Sequence, residues 1–193
     1  MTMKKTTGFT LIELMVALAV FAIMAAIAVP NLQGLLQRNG ISNQTNMLVA
    51  NLNLARSEAV KRNARIALCW ANADQDACLT STDPTPWEDG WLVFIDSDED
   101  EELDAGETIL RVNDPVGSGN TIRSGQYKNT LFYNGDGSIS AAGTFRICDK
   151  AGNEKFAKAI NIQSSGIISL AKDTDATPDD ISNDFQNNNI ACP

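Results

Sequence analysis

An unbroken apolar run from Phe9 to Val29, FTLIELMVALAVFAIMAAIAV, sets the main constraint on this chain. It is 21 residues long and carries one charge, Glu13. As a helix such a run is long enough to cross a bilayer. Lys4 and Lys5 precede it and predict a flank that stays in the cytoplasm. A secretory signal would put its small-residue cleavage site after the run, in an A-x-A-like context. Ala26 and Ala28 give only a poor version of that. Gly8 instead stands before the run, so cleavage there would leave the hydrophobic segment on the mature chain.

Glu13 is the anomaly in this segment. A carboxylate inside a transmembrane helix costs roughly 2.5 kcal/mol or more on insertion scales. Near a helix start it can stay solvated and favour the helix dipole. It can also pair with a positive charge, and cleavage after Gly8 would create one, the free amine of Phe9.

Lys4-Lys5 followed by Gly8-Phe9-Thr10-Leu11-Ile12-Glu13-Leu14 resembles the leader of type IV pilins and type II secretion pseudopilins. The resemblance implies a prepilin peptidase that cuts after Gly8 and methylates Phe9. It places Glu13 at the assembly-directing fifth mature position. Pro30 matches a helix-bending proline of many pilins.

Beyond Pro30 the apolar pattern becomes periodic. Ile41, Leu48, Leu52, Ala55 and Ala59 fall near helical spacing among polar Asn and Gln. One helix is therefore predicted from about Phe9 to Asn63, bent at Pro30, where an N–H is missing and the ring clashes with the preceding turn. Arg56, Lys61, Arg62 and Arg65 cluster near its end. They suit a solvated helix C-terminus or a contact with an acidic neighbouring subunit. The stretch Leu52-Asn53-Leu54-Ala55-Arg56-Ser57-Glu58-Ala59-Val60-Lys61-Arg62-Asn63 resembles the GspH/FimT/FimU group of minor pilins and pseudopilins.

From Ile66 onward there are 8 basic and 22 acidic side chains. That balance opposes bulk electrostatic binding of nucleic acid. The chain has no His, which removes His-based general bases, Cys–His dyads and the commonest zinc ligand. With no nucleophile–base constellation in view, an enzyme is not expected. Short β-prone runs occur at Arg65 to Trp70, Trp91 to Ile95, Thr108 to Val112, Thr130 to Tyr133, Thr144 to Cys148, Ala159 to Gln163 and Ile167 to Leu170. Turn signals such as Asn134-Gly135-Asp136-Gly137 and Ser164-Ser165-Gly166 separate them. The expectation is an α+β, type IV pilin-like fold with antiparallel sheets packed on a long N-terminal helix. Its parts are a leader (1–8), a transmembrane helix (9–30), an amphipathic helical stalk (31–63) and a periplasmic β-rich head (64–193). Trp87-Glu88-Asp89-Gly90-Trp91-Leu92-Val93-Phe94 and Gly106-Glu107-Thr108-Ile109-Leu110-Arg111 resemble the GspH-like head. The tryptophans are expected in the core.

Cys69, Cys78, Cys148 and Cys192 allow three pairings. An exported head sits where disulfides persist. Cys69 and Cys78, close in sequence, are expected to clip one loop. Cys148 and Cys192 would then tie down a polar tail. That second pairing also resembles the C-terminal disulfide loop of pilins.

In residues 96–107, DSDEDEELDAGE, eight of twelve residues are acidic. Asp96, Asp98, Asp100, Asp104 and Glu107 fall at positions 1, 3, 5, 9 and 12 of an EF-hand-like calcium loop. Glu101 stands where such a loop has Gly, and the flanks read as strands. The segment is either a solvated acidic turn or a Ca2+ site.

The resemblance implies a minor pilin that primes pilus assembly or forms the tip complex. Its partners would be other minor pilins, the major pilin and the inner membrane. An H-type pseudopilin of type II secretion is the alternative. The long acidic tail tied by a disulfide is most similar to FimU-like members. FimT-type DNA-uptake pilins carry a basic Gly-Arg-x-Arg element. The corresponding Ser165-Gly166-Ile167-Ile168-Ser169 has no arginine, so DNA binding is not expected.

Overall fold

The computed structural model describes residues 9–80, 87–117, 119–174 and 179–192. Gly8 lies outside them. The chain divides into two compact units, Met1–Asn39 and Gly40–Pro193. One helix, α1 (Leu11–Arg62), begins in the first unit and ends in the second. Pro30 lies within it, and its side chain is outside the described residues.

In the first unit the described apolar side chains are mostly open, with Phe9 87% and Phe21 69% exposed. Among the described residues no helix is long and apolar enough to cross a membrane. The described side chains of the apolar run stop at Ile27, and residues 28–31 fall outside them.

In the second unit Ile41, Leu48, Leu52, Ala55 and Ala59 are fully buried, as helical spacing predicts. The helix stops at a C-terminal cap. Asn63 adopts a left-handed φ of 48°, and the Ala64 N–H donates to the Ala59 carbonyl at 3.2 Å. This is the Schellman arrangement, which satisfies a carbonyl that the helix leaves open.

Eight strands follow: β1 (Ile66–Trp70), β2 (Trp91–Ile95), β3 (Ile109–Asn113), β4 (Thr121–Ser124), β5 (Thr130–Tyr133), β6 (Gly143–Cys148), β7 (Lys158–Ile162) and β8 (Ile168–Leu170). They form two four-stranded antiparallel sheets, ordered β3-β2-β1-β5 and β4-β6-β7-β8. The helix stripe, Ile66 and Leu68 of β1, and Phe145 and Ile160 of the second sheet share one core. Alternate residues of β1, Ala67 and Cys69, face a second cluster with Leu92 and Phe94. Both faces of the strand are thus covered, which explains its continuous apolar sequence.

Trp87 and Trp91 are fully buried, and Trp87 meets Phe145 edge-on at 5.1 Å. Its indole N–H donates to the Tyr127 carbonyl at 3.0 Å, giving the buried ring its polar partner. Polar side chains of α1 also reach the sheets. The Asn51 amide donates to Asn113 Oδ1 at 2.9 Å, and Asn120 donates to Gln44 Oε1 at 3.0 Å. The observed architecture is α+β, one long helix followed by two antiparallel sheets, as expected.

Candidate functional site

Three places carry the residues singled out in the sequence. At the N-terminus Thr10 and Glu13 bond reciprocally. The Thr10 N–H and hydroxyl donate to Glu13 Oε2 at 3.1 and 3.0 Å, and the Glu13 N–H donates to Thr10 Oγ1 at 3.3 Å. This is a capping box, which satisfies backbone donors at the start of α1. The charge pattern alone passed over Thr10, although Thr-x-x-Glu before an apolar run is its signature. Glu13 therefore has a structural task within its own chain.

The second place is the connection from β2 to β3. Asp96 directly follows β2, and its N–H donates to the Arg65 carbonyl at 3.1 Å. It is 1% exposed. Arg65 Nη1 lies 3.5 Å from Asp96 Oδ2, donates to the Glu99 carbonyl, and its guanidinium sits 3.6 Å over the Phe132 ring. Burial pushes the Asp96 carboxyl above the ordinary aspartate range. Arg65 and the backbone N–H groups of Glu101 and Glu99 pull the other way, and Glu107 adds to the rise.

Carboxylate oxygens of Asp96, Asp98 and Glu107 lie within 4.8 Å of one another, as do those of Asp98, Asp100 and Asp104. All five sequence candidates therefore converge on two groups sharing Asp98. Asp100, Asp98 and Glu107 push the exposed Asp104 carboxyl above its ordinary range, Asp100 most strongly. Glu101, in the place of the expected Gly, takes a left-handed φ of 70°. The turn forms without glycine.

The third place is the tail. Cys148 and Cys192 form a disulfide, and Cys69 and Cys78 form another. Ile190 packs beside Cys148, Ala157 and Ala159. Asn183, 2% exposed, accepts from the Thr174 N–H at 2.7 Å and donates to Asn189 Oδ1 at 2.9 Å. Arg146 donates to the Ala191 carbonyl at 2.9 Å.

The basic cluster of α1 is engaged inside the chain. Lys61 and Arg62 pair with Glu58 at 3.2 and 2.6 Å. Arg56 donates to the Gly137 and Ser165 carbonyls at 3.2 and 3.1 Å. Gly166 has a φ of +76°, and a Cβ there would lie 1.9 Å from the Gly137 carbonyl oxygen. Gly166 is thus packed closely on the Gly137 carbonyl, and Arg56 reaches the adjoining Ser165 carbonyl from the helix.

Residues 44–166, more than half of the chain, match the family described as Type II transport protein GspH. The chain belongs to the GspH family. Residues 3–29 match the prokaryotic N-terminal methylation motif. A chain of the GspH family with this motif is a pilin-type structural subunit. Its fold is similar to a crystal structure of the Pseudomonas aeruginosa PAO1 type IV minor pilin FimU. The TM-score is 0.52 at 23% identity, covering 69% of this chain and 90% of that one. A second crystal form of FimU gives 0.47 and 21%, covering 67% and 90%. No curated protein matches the chain. Strand β8 and the tail lie beyond the GspH match.

Proposed function

We propose that this GspH-family chain is a minor pilin of a type IV pilus that helps to prime assembly or forms part of the tip complex. One observation carries the reading. The methylation motif at residues 3–29 includes the start of α1, and the apolar side chains of Phe9 and of the helix after it are exposed through most of the described run. Such a surface needs cover, first from lipid and then from neighbouring helices in a filament. The similarity of the fold to that of a minor pilin supports the same role.

In this reading residues 9–30 cross the inner membrane with the head in the periplasm. Prepilin peptidase cuts after Gly8 and methylates Phe9. Glu13 then meets an N-terminal amine in the filament, in its own chain or a neighbour. Removing one partner of such a pair leaves the other charge uncompensated, which disfavours the assembled state.

The capping box makes the test sharper. Glu13→Gln keeps a side chain that can cap α1 but loses the charge, whereas Thr10→Ala loses the hydroxyl of the cap and keeps the charge. Glu13→Ala and Glu13→Gln are expected to insert and to be cut after Gly8, yet to be depleted from sheared pilus fractions. Thr10→Ala is expected to enter pili more nearly as the wild type does. Normal incorporation of Glu13→Ala would refute the role.

A pseudopilin role in type II secretion is the second reading, favoured by the description of the matched family. Deletion of the chain separates them. Loss of surface pili with secretion intact supports the minor pilin, and the reverse supports the pseudopilin.

A further inference from the structure

We propose that the β2–β3 connection is a calcium site, with Asp96, Asp98 and Glu107 at its inner end and Asp100 and Asp104 completing it through the shared Asp98. The acidic composition alone does not make this case. It rests on Asp96, which is 1% exposed and has neither carboxylate oxygen in a hydrogen bond of normal geometry among the described residues. One of those oxygens lies within 4.8 Å of carboxylate oxygens of Asp98 and Glu107. Buried polar atoms are nearly always bonded, so each exception calls for a cause. Arg65, at 3.5 Å, is the nearby cation, but the same Nη1 donates to the Glu99 carbonyl. Arg65 supplies Coulomb attraction to Asp96, and the Glu101 and Glu99 N–H groups pull the same way without completing a hydrogen bond of normal geometry.

The spacing fits a large divalent ion. Calcium binds oxygens at about 2.3–2.6 Å, so two ligands of one ion can be up to about 5 Å apart. The two carboxylate groups, each within 4.8 Å, meet that limit. Glu107 accepts from the Ser97 and Asp104 N–H groups, one on each oxygen, at 2.6 and 3.2 Å. A carboxylate has about four lone-pair sites, so these bonds hold Glu107 toward the loop and leave acceptor capacity. Asp100 likewise accepts from the Glu102 N–H at 2.8 Å. The sequence objection, Glu101 in place of Gly, is met by its left-handed φ of 70°. Magnesium fits poorly, because it wants a near-ideal octahedron at about 2.0–2.1 Å, and an exposed loop of this irregularity does not offer one.

The test uses the full chain in detergent micelles, treated with a chelator and then titrated with calcium chloride or magnesium chloride. Calcium is expected to give binding heat with a Kd on the order of 10⁻⁴–10⁻³ M, as in extracellular modules. At a large excess over Kd it is expected to raise Tm by about 5 °C or more. Magnesium should give a much smaller response. Asp98→Asn with Asp100→Asn should remove both the heat and the shift. Should that double variant fail to fold, Asp104→Asn, at an exposed position, is expected to weaken calcium binding about tenfold. Absence of heat and shift for the wild type at about 10 mM calcium, far above that range, would overturn the proposal. So would a full response retained by the variants, because the ion would then bind elsewhere.

Discussion

The tail (residues 172–192) and the β2–β3 connection (residues 96–107) are both polar and turn-rich, yet their side chains find partners by different chemistry. The tail sets amides beside its aspartates. Asn183, Gln186, Asn187, Asn188 and Asn189 each carry donors and an acceptor. Asn189 donates to Asp179 Oδ2 at 2.6 Å, and backbone and side-chain N–H groups of Asn188 converge on Asp184. The carboxylates of Asp173, Asp179 and Asp184 are therefore bonded from within the tail. The connection has eight carboxylates and only the Ser97 hydroxyl as a side-chain donor. Ionised carboxylates only accept. An amide network can close on itself, whereas a carboxylate cluster must draw donors from its backbone, from Arg65, or from a cation.

The largest expected effect comes from cutting the covalent tie of the tail. Cys148→Ser with Cys192→Ser opens a loop whose ends are 44 residues apart. The chain-entropy treatment gives a loss of about 4 kcal/mol for such a loop, read as a fall in the denaturation midpoint. Peptide mapping without reductant should recover Cys69–Cys78 and Cys148–Cys192 pairs. Free thiols or crossed pairs would contradict the structure.

The next effect converts one chemistry into the other. Asn183→Asp puts an acceptor-only group at a buried site, 2% exposed, and removes the donor to Asn189. A loss of about 2–3 kcal/mol is expected at neutral pH. A neutral outcome would mean that the amide network contributes little beyond what the disulfide supplies.

Smaller still is the reverse change. Without calcium, Asp98→Asn with Asp100→Asn relieves repulsion in an exposed cluster, and a rise in Tm of about 1–2 °C is expected. A fall in Tm would show that those carboxylates already have cationic partners.

The smallest effect concerns Glu58, a carboxylate whose cations are supplied by its own helix. Its hydrogen bond with Arg62, then that with Lys61, holds its pKa below the ordinary glutamate range. A lowered folded pKa contributes stability above the unfolded value and loses it as pH falls through the folded one. Glu58→Gln should therefore flatten the stability profile slightly just below pH ~4.5 and leave neutral behaviour nearly unchanged.

Local rules made much of this legible. Ile41, Leu48, Leu52, Ala55 and Ala59 identified the buried face of α1, and Asn63 marked its end. Most strands stood out by β-branched and aromatic runs between turn signals. β4 did not, because Thr121-Ile122-Arg123-Ser124 has a single large apolar residue and owes its place to pairing with β6. The order of strands within the two sheets likewise depends on distant pairings that no local pattern records. The five acidic candidates could be read from spacing. The position of Arg65 beside Asp96 could have been read only from the β1–β2 register, in which Ile66 faces Ile95. The burial of Asp96 could not be told from spacing, since it stands between the apolar strand β2 and a run of exposed carboxylates and could belong to either.

Hydrogen exchange of the full chain in micelles, with chelator and then with calcium, tests the contrast most directly. Backbone amides of residues 97–107 are expected to exchange rapidly without calcium and to gain at least about tenfold protection with it, an increment of roughly 1.4 kcal/mol or more in local opening. Amides of the tail such as Asn183 and Ile190, which donate to the Lys172 and Ser182 carbonyls at 3.0 Å, should be protected in both conditions. A β2–β3 connection already as protected as the tail without calcium, and unchanged by it, would contradict the account.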